Sequence, residues 1–436
     1  MANNPLKQVL DIRREEWPLA LPMCAYFFLV ITTFWVLKPI KKGLFITFYE
    51  QDGFQLLSWH MSGSQAELLA KVLNMGVALI AVTIFTLLAR TLQRQQLTFA
   101  FSLFFAVAYV LYSLLLDSPS SFVVWSFYLF GDLYSTLMVA TFFVFLNDSV
   151  NSATAKRIYG LVGVGGVAGG AFGSTIVRSK IRDLATSEWM WVCLGLGALI
   201  VVCAWLAGRQ VKAPPVKEET SPEPVEAAGN PALEGGRLVL QSPYLLSIVA
   251  IVGLYEMVST IMDFQFTSTI VHYLDGPEIG VQFSTVFAMT NWVALFVQLF
   301  LTSLVMTRFG VGVALLFLPL AALLGSGAFM VAPILLFGSL LNTADNGFSY
   351  SINQSAKEVL YVPTTRDEKY KAKAFIDMFV QRFAKALAVG LSLLITTYFT
   401  GFESLRWLSL LTVALLVLWI LAVRYVGRVF AEREAG

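Results

Sequence analysis

The chain contains about a dozen long apolar runs, and these constrain its fold more than any other feature. A helical run of about 20 apolar residues spans the roughly 30 Å hydrocarbon core of a bilayer, whereas barrel strands alternate apolar and polar residues. Hydrophobic residues make up 57% of the 436 and charged residues 13%, with a mean hydropathy of +0.72. Because this composition excludes a soluble domain or a disordered chain, we predict an all-α polytopic membrane protein.

About twelve transmembrane helices are predicted, at residues 17–49, 68–89, 97–116, 122–146, 159–177, 189–207, 245–262, 283–306, 310–329, 331–355, 374–398 and 405–426. About nineteen Lys and Arg fall in loops on the side of the N-terminus and about four on the other side. Because basic residues accumulate in cytoplasmic loops, both termini are expected in the cytoplasm, with the protein in a bacterial inner membrane. No cleavable leader is visible, so the N-terminus is expected to be retained.

One long polar stretch, residues 208–242, is rich in Pro, Glu and Gly and divides six spans from six. It predicts an N-terminal six-helix bundle at 1–207, a flexible cytoplasmic linker at 208–242 and a C-terminal six-helix bundle at 243–436. This 6+6 layout resembles the major facilitator superfamily, in which each half consists of inverted three-helix repeats. The resemblance implies that spans one, four, seven and ten line a central cavity.

Those four spans each carry ionisable residues at membrane depth, namely Lys38 and Lys41, Asp132, Glu256 and Lys357. A charge there costs roughly 2.5 to 3.5 kcal/mol and normally faces a protein interior or a watery cavity. We therefore predict an anion site in which the lysines hold the substrate and the acids pair with them when it is absent. A purely structural charge pair, a site for a coupling cation and proton exchange are the alternatives for the acids.

The lysines of span one lie around Pro39, in the run FWVLKPIKKGLFITFY. Lys38, Lys41 and Lys42 are spaced to share one broad helix face, which predicts a cationic clamp for phosphate or carboxylate. The alternative interpretation is snorkelling of the lysines at the outer membrane interface.

Span ten is unusually polar, and Asn346 and Asn353 are its candidate substrate ligands beside Lys357. Polar groups at this density are expected where a polar ligand or water is bound. An interfacial position for Lys357 is the alternative.

The glycines of span five recur at four-residue spacing, as Gly165, Gly169 and Gly173 and as Gly166 and Gly170. They predict close helix packing rather than a phosphate loop, because no strand precedes them and no GK[ST] follows. In the loop after this span, the bases Arg178, Lys180 and Arg182 are expected to anchor the chain at the membrane interface or to line the mouth of an anion pathway.

No enzyme active site, metal site or cofactor is predicted. His60 and His272 are too isolated to form a metal site, and the three cysteines lie in apolar spans as small hydrophobes. Without an ATPase motif, hydrolysis is not expected to drive the protein, and no nucleic-acid partner is indicated.

Several stretches resemble the plastid and intracellular-bacterial ATP/ADP translocases. LKPIKKGL, from Leu37, is similar to the basic motif of that family and places its substrate lysine on Lys41. FYLFGDLYST and GLYEMVST match the stretches that carry the family acids, at Asp132 and Glu256, and NQSAKEVLYVP places a further lysine on Lys357. KYKAKAFID resembles the basic pattern that follows. Asp132 stands where the family has Glu, and Lys42 where it has an acid.

Together these observations predict a secondary transporter that moves an anionic metabolite, favouring a nucleotide in ATP/ADP-type exchange or uptake, by alternating access within the lipid bilayer. The layout is compatible with a monomer. The alternative is a proton-coupled transporter of another organic anion or amphiphile with Glu256 as the titrating group, and a third is a membrane scaffold without transport activity.

Overall fold

A computed structural model describes residues 12–150, 152–210, 231–365, 368–399, 401–402 and 404–435. The described chain is almost entirely helical, which confirms the all-α prediction. Its strands are β1, Phe54–Leu56, and β2, Trp59–Met61, which pair as an antiparallel hairpin.

The first six predicted spans correspond to helices with these bounds: α1 Trp17–Phe48, α2 Gly63–Thr91, α3 Arg94–Leu115, α4 Ser121–Asn147, α5 Ser152–Lys180 and α6 Thr186–Gln210. α1 begins with a proline in its first turn, where the missing N–H has no intrahelical partner to lose, and stays helical through Pro22 and Pro39. Ser120 caps α4 by accepting a hydrogen bond from the Val123 N–H.

The remaining helices are α7 Pro231–Gln241, α8 Pro243–Tyr273, α9 Pro277–Phe296, α10 Thr302–Val331, α11 Leu335–Phe348, α12 Gln354–Val359, α13 Lys373–Phe375, α14 Gln381–Tyr398 and α15 Ser404–Ala435. π-helical segments lie between several of them, at Val297–Leu301, Ser349–Asn353, Glu368–Ala372 and Ile376–Val380. Such segments insert one extra residue into a helix and are frequent at functional sites. α7 falls within the predicted linker 208–242, of which residues 211–230 lie outside the described residues.

Ten helices in the described part of the chain are long and apolar enough to cross a membrane, against about twelve predicted spans. The difference has two structural causes. One candidate, Pro277–Val331, is a continuous run that contains two predicted spans, with a break at Gly310, where φ is 83°. The span predicted at 331–355 is divided by the π segment Ser349–Asn353 into two shorter helices.

The chain forms two compact units. Unit 1 comprises Met1–Gly63, Leu73–Ser221 and Asp275–Asn291, and unit 2 comprises Ser64–Val72, Pro222–Leu274 and Trp292–Gly436. Unit 1 therefore contains most of α2 and the first turns of α9, and unit 2 contains the first turns of α2.

In unit 1, α5 packs directly on the backbone of α1. A Cβ added at Gly169 would lie 2.4 Å from the carbonyl oxygen of Phe28, and one at Gly173 would lie 2.5 Å from that of Thr32. The Thr32 hydroxyl also donates to the Gly169 carbonyl at 3.2 Å. The predicted role of the glycine spacing in close helix packing is confirmed.

In unit 2, α8 is held to α15 by a fully buried amide. The side-chain nitrogen of Gln265 donates to the carbonyl of Leu405 at 3.0 Å and to the hydroxyl of Ser409 at 2.8 Å. Loss of either hydrogen bond would leave a buried polar group unsatisfied, so these bonds fix the packing of α8 against α15. α8 is thereby positioned to present its charged residues within the unit.

Candidate functional site

Lys41 forms the main ion pair of unit 1. Its ammonium nitrogen lies 2.5 Å from Oδ1 of Asp132 and donates to the carbonyl of Tyr128 at 3.2 Å. Asn74, in α2, donates to the other carboxylate oxygen at 3.1 Å. The Lys41 side chain is only 5% exposed. The structure thus brings together two residues that the sequence predicted, and adds Asn74, which it missed.

The glycine that precedes Asp132 makes room for this pair. A Cβ at Gly131 would lie 2.5 Å from Cδ of Lys41, closer than real Cβ atoms come to a neighbour. The Gly131–Asp132 dipeptide therefore supplies both the space for the lysine and its counter-charge.

Lys38 and Lys42 lie against the start of α9, on rings that also belong to unit 1. The Lys38 nitrogen is 5.0 Å from the ring centroid of Phe287, and the Lys42 nitrogen is 5.1 Å from that of Phe283. Cation–π contacts of this kind contribute about 0.5 to 2 kcal/mol. The three lysines of the predicted clamp therefore contact two different helices, since Lys41 points to α4.

In unit 2, Glu256 pairs with Lys385 of α14, at 3.4 Å from Nζ to Oε2. The Glu256 side chain is largely buried, whereas that of Lys385 is 41% exposed. Sequence reasoning identified Glu256 and missed Lys385, although Lys385 interrupts an apolar span in the same way.

Lys357 lies over an aromatic ring in unit 2. Its nitrogen is 4.8 Å from the ring centroid of Tyr255, whose hydroxyl shares a 2.5 Å hydrogen bond with Ser349. Tyr255 is the residue before Glu256, and Glu256 lies within electrostatic range of Lys357, so the predicted acid and lysine lie in the same region of unit 2.

The two predicted asparagines of span ten have different surroundings. Asn346 is half-buried and donates to the carbonyl of Asn342, one turn earlier in the same helix, at 3.1 Å. Asn353 ends the π segment and is completely buried. Neither polar atom of its side chain has a hydrogen-bond partner among the described residues.

A second charged cluster in unit 2 was not predicted. Lys71 pairs with Asp263 and, at 3.4 Å, with Glu67. Asn342 donates to Oδ1 of Asp263 at 3.1 Å. All four side chains come from predicted spans or their ends. Charges that interrupt apolar runs therefore indicated this cluster in the sequence. Lys71, however, lies outside the four spans that were predicted to line the cavity.

The basic loop after α5 is ion-paired at the surface of unit 1. Lys180 pairs with Asp183, and Arg182 donates to both carboxylate oxygens of Glu278, all at 2.9 Å. These side chains are more than half exposed.

Buried lysine–carboxylate pairs at membrane depth have a definite chemical capacity. The acid stabilises the ammonium while no other anion is present, and phosphate or carboxylate oxygens of a ligand can take its place through charge-assisted hydrogen bonds. Ionisable residues within membrane helices commonly mark substrate or ion pathways.

Solved structures of major facilitator transporters share this fold. A bacterial homologue of the human lysosomal transporter Spinster, captured inward-facing, aligns with a TM-score of 0.63, 14% identity and coverage of 97% of this chain and 98% of that one. The nucleoside transporter NupG aligns with a TM-score of 0.67, 12% identity and coverage of 94% and 99%. The chain accordingly has the multi-pass helical fold of these transporters.

The particular family follows from sequence. Residues 118–335 and 320–430 match the family model of the TLC ATP/ADP transporters, so the chain belongs to that family. It is 25% identical to ADP,ATP carrier protein 1 of Chlamydia trachomatis, over 97% of this chain and 91% of the relative. It is 22% identical to the chloroplastic ADP,ATP carrier protein 1 of Arabidopsis thaliana, over 93% and 72% respectively.

Proposed function

We infer that this transporter exchanges nucleotides, ATP against ADP, by alternating access. Membership of the ATP/ADP transporter family supports this, as do the relatives named ADP,ATP carrier proteins. The structural observation that supports the proposal is the pair that Lys41, whose side chain is 5% exposed, forms with Asp132. A nearly buried cation on the first helix, with its counter-charge on the fourth, suits a phosphate group.

The proposed substrate residues are the charged and amide side chains Lys38, Lys41, Asp132, Glu256, Asn346, Asn353 and Lys357. Without substrate, Asp132 neutralises Lys41. When the nucleotide arrives, its phosphate oxygens replace the carboxylate on the ammonium. Because a ligand shifts a conformational equilibrium only through its different affinity for the two states, this exchange of partners is the step that couples binding to the change of access.

The test is uptake of labelled ATP into proteoliposomes preloaded with ADP, beside vesicles without ADP. We expect uptake to require internal ADP and to be lost in Lys41→Gln. Lys42→Gln is the matched control, because Lys42 is the next residue and, like Lys41, is 4% exposed, but it lies against Phe283. The decrease in ATP uptake should be smaller for Lys42→Gln than for Lys41→Gln. Folded wild-type protein that takes up no ATP would refute nucleotide exchange.

The alternative, proton-coupled transport of another organic anion, has one structural feature in its favour. Two carboxylates, Glu67 and Asp263, share Lys71, so these ion pairs contain one more acid than base. Uptake of a non-nucleotide anion that follows an imposed proton gradient, with no response to ADP, would establish it.

The proposal includes a topology. Both termini lie in the cytoplasm, the membrane is the inner membrane of a bacterium, and six-helix bundles at 1–207 and 243–436 flank a linker at 208–242. The transporter acts as a monomer. Cysteine accessibility from either side of oriented vesicles tests the topology.

A further inference from the structure

Lys385 reaches Glu256 because α8 and the start of α14 lie side by side. A Cβ at Gly253 would meet Cγ1 of Val380 at 3.7 Å and Cβ of Ala384 at 3.9 Å, so the two backbones are close there. Glu256 follows Gly253 by one helical turn, and Lys385 follows Ala384. The pair is therefore placed by packing of the helices and not by a mobile loop.

The Lys385–Glu256 pair is looser than the Lys41–Asp132 pair. Its N···O distance is 3.4 Å rather than 2.5 Å, and its lysine is 41% exposed rather than 5%. Charge-assisted hydrogen bonds between nitrogen and oxygen are usually about 2.7 to 2.9 Å long. An ammonium group held at a longer distance and partly exposed can change partners more readily than one that is buried and closely paired.

Glu256 contacts one lysine, Lys385, and lies within electrostatic range of a second, Lys357. The Lys357 nitrogen lies over the ring of Tyr255, the residue before Glu256. The other charged groups that act on Lys357 are Asp377, Glu358 and Lys373. A cluster of two cations around one acid suits a ligand with several separated negative charges, as in the phosphate chain of a nucleoside di- or triphosphate.

We propose that Lys385 is a further substrate-binding residue, which holds the phosphate chain together with Lys357 after Glu256 releases it. The inference rests on the proposed nucleotide transport. It assigns to α14 a binding role that the sequence did not indicate, and it makes the affinity for the nucleotide depend on the number of its phosphates.

The experiment measures binding to purified protein in nanodiscs, with a fluorescent ATP analogue displaced by ATP, ADP or AMP. Because Lys385→Gln removes a charge-assisted hydrogen bond, it should weaken the binding of ATP about tenfold or more. The affinity for ADP should fall less, and the affinity for AMP least. Lys385→Arg should retain most of the affinity. Arg209→Gln, which removes an exposed base that lies over the ring of Trp205, is the control and should change nothing.

A double variant separates binding from simple charge balance. If Lys385 only neutralised Glu256, then Glu256→Gln combined with Lys385→Gln would recover the affinity for ATP. We expect the double variant to remain weak and to keep its dependence on phosphate number, with an unchanged melting temperature showing that it is folded.

Three outcomes would overturn the inference: equal weakening of ATP, ADP and AMP, full affinity in folded Lys385→Gln, or recovery in the double variant. Each is distinct from failure of the proposed function, in which the wild-type protein itself binds no nucleotide.

Discussion

The charged groups of unit 1 and unit 2 are organised differently. In unit 1, both oxygens of Asp132 have partners, Lys41 and Asn74, and the lysine is almost completely buried. In unit 2, Lys385 and Glu256 are in looser contact, and Lys71 divides its charge between two acids. Within the described residues, the π-helical segments also all lie in unit 2.

This difference suggests that the two units have different roles in binding the substrate. Lys41 is almost completely buried and both oxygens of Asp132 have partners, so this pair is the harder one to break and unit 1 offers one fixed point of attachment for an anion. Looser pairs on helices with π segments can exchange partners more readily, so unit 2 is suited to adapt to the ligand. The following variants would break or sharpen this comparison.

The largest effect is expected from removing one charge in unit 1. Lys41→Gln leaves Asp132, whose side chain is 28% exposed, without its cation and should lower the free energy of unfolding by about 2 kcal/mol. Lys385→Gln, its counterpart in unit 2, should cost less, about 1 kcal/mol, because Lys385 is 41% exposed and its contact with Glu256 is longer. Thermal unfolding in nanodiscs measures both.

Combining Lys41→Gln with Asp132→Asn removes both charges and should restore most of the lost stability without restoring transport. Equal losses for Lys41→Gln and Lys385→Gln would show that the two pairs do not differ as their geometry indicates.

A smaller effect is expected from adding one methyl group beside each pair. Gly131→Ala places a Cβ 2.5 Å from the Lys41 side chain and must displace it, so exchange should fall about tenfold. Gly253→Ala, beside the unit 2 pair, makes only ordinary contacts at 3.7 and 3.9 Å and should retain exchange. Initial rates of ATP uptake compare the two, and similar rates would contradict a tightly fitted lysine in unit 1.

The smallest effect concerns an ion pair at a helix end of unit 1. Hydrogen bonds from the Arg157 guanidinium lower the pKa of Glu16, just before α1, to about 2. Because this pKa is depressed on folding, its stabilisation is present above the ordinary value of about 4.3 and disappears as pH falls towards 2.

The melting temperature of wild type minus that of Glu16→Gln should therefore be constant from neutral pH to about pH 5 and shrink below it. A difference that stays unchanged at about pH 3 would mean that the pair does not hold the start of α1.

The sequence predicted the helical membrane fold well, because apolar run length alone defines a span. It also predicted the glycine contact of α5, since four-residue spacing of small residues has one physical use in such a helix. The number of separate membrane-spanning helices in the described residues differs from the number predicted. The break at Gly310 and the π segment at 349–353 depend on local backbone geometry, which hydropathy does not indicate.

The site could be predicted only in part. Lys41 and Asp132 were found as charges in apolar runs, and the structure pairs them. Which face each lysine occupies is decided by its neighbours, so helix spacing alone did not separate Lys38 and Lys42 from Lys41, whereas the resemblance to the family motif did single out Lys41. Lys385 and Lys71 were missed because they lie outside spans one, four, seven and ten, which were predicted to line the cavity. An ionisable residue in any span nevertheless carries the same signal.

The π segment that ends at Asn353 has a consequence for how the sequence of this helix can vary. Each π turn contains one residue more than an α turn of the same span, so removal of one residue there would leave a regular helix. The same removal within α4 would rotate every later side chain by about 100°, given 3.6 residues per turn. Loss of one residue is therefore tolerated in the π segment that ends at the buried Asn353 and disruptive in α4.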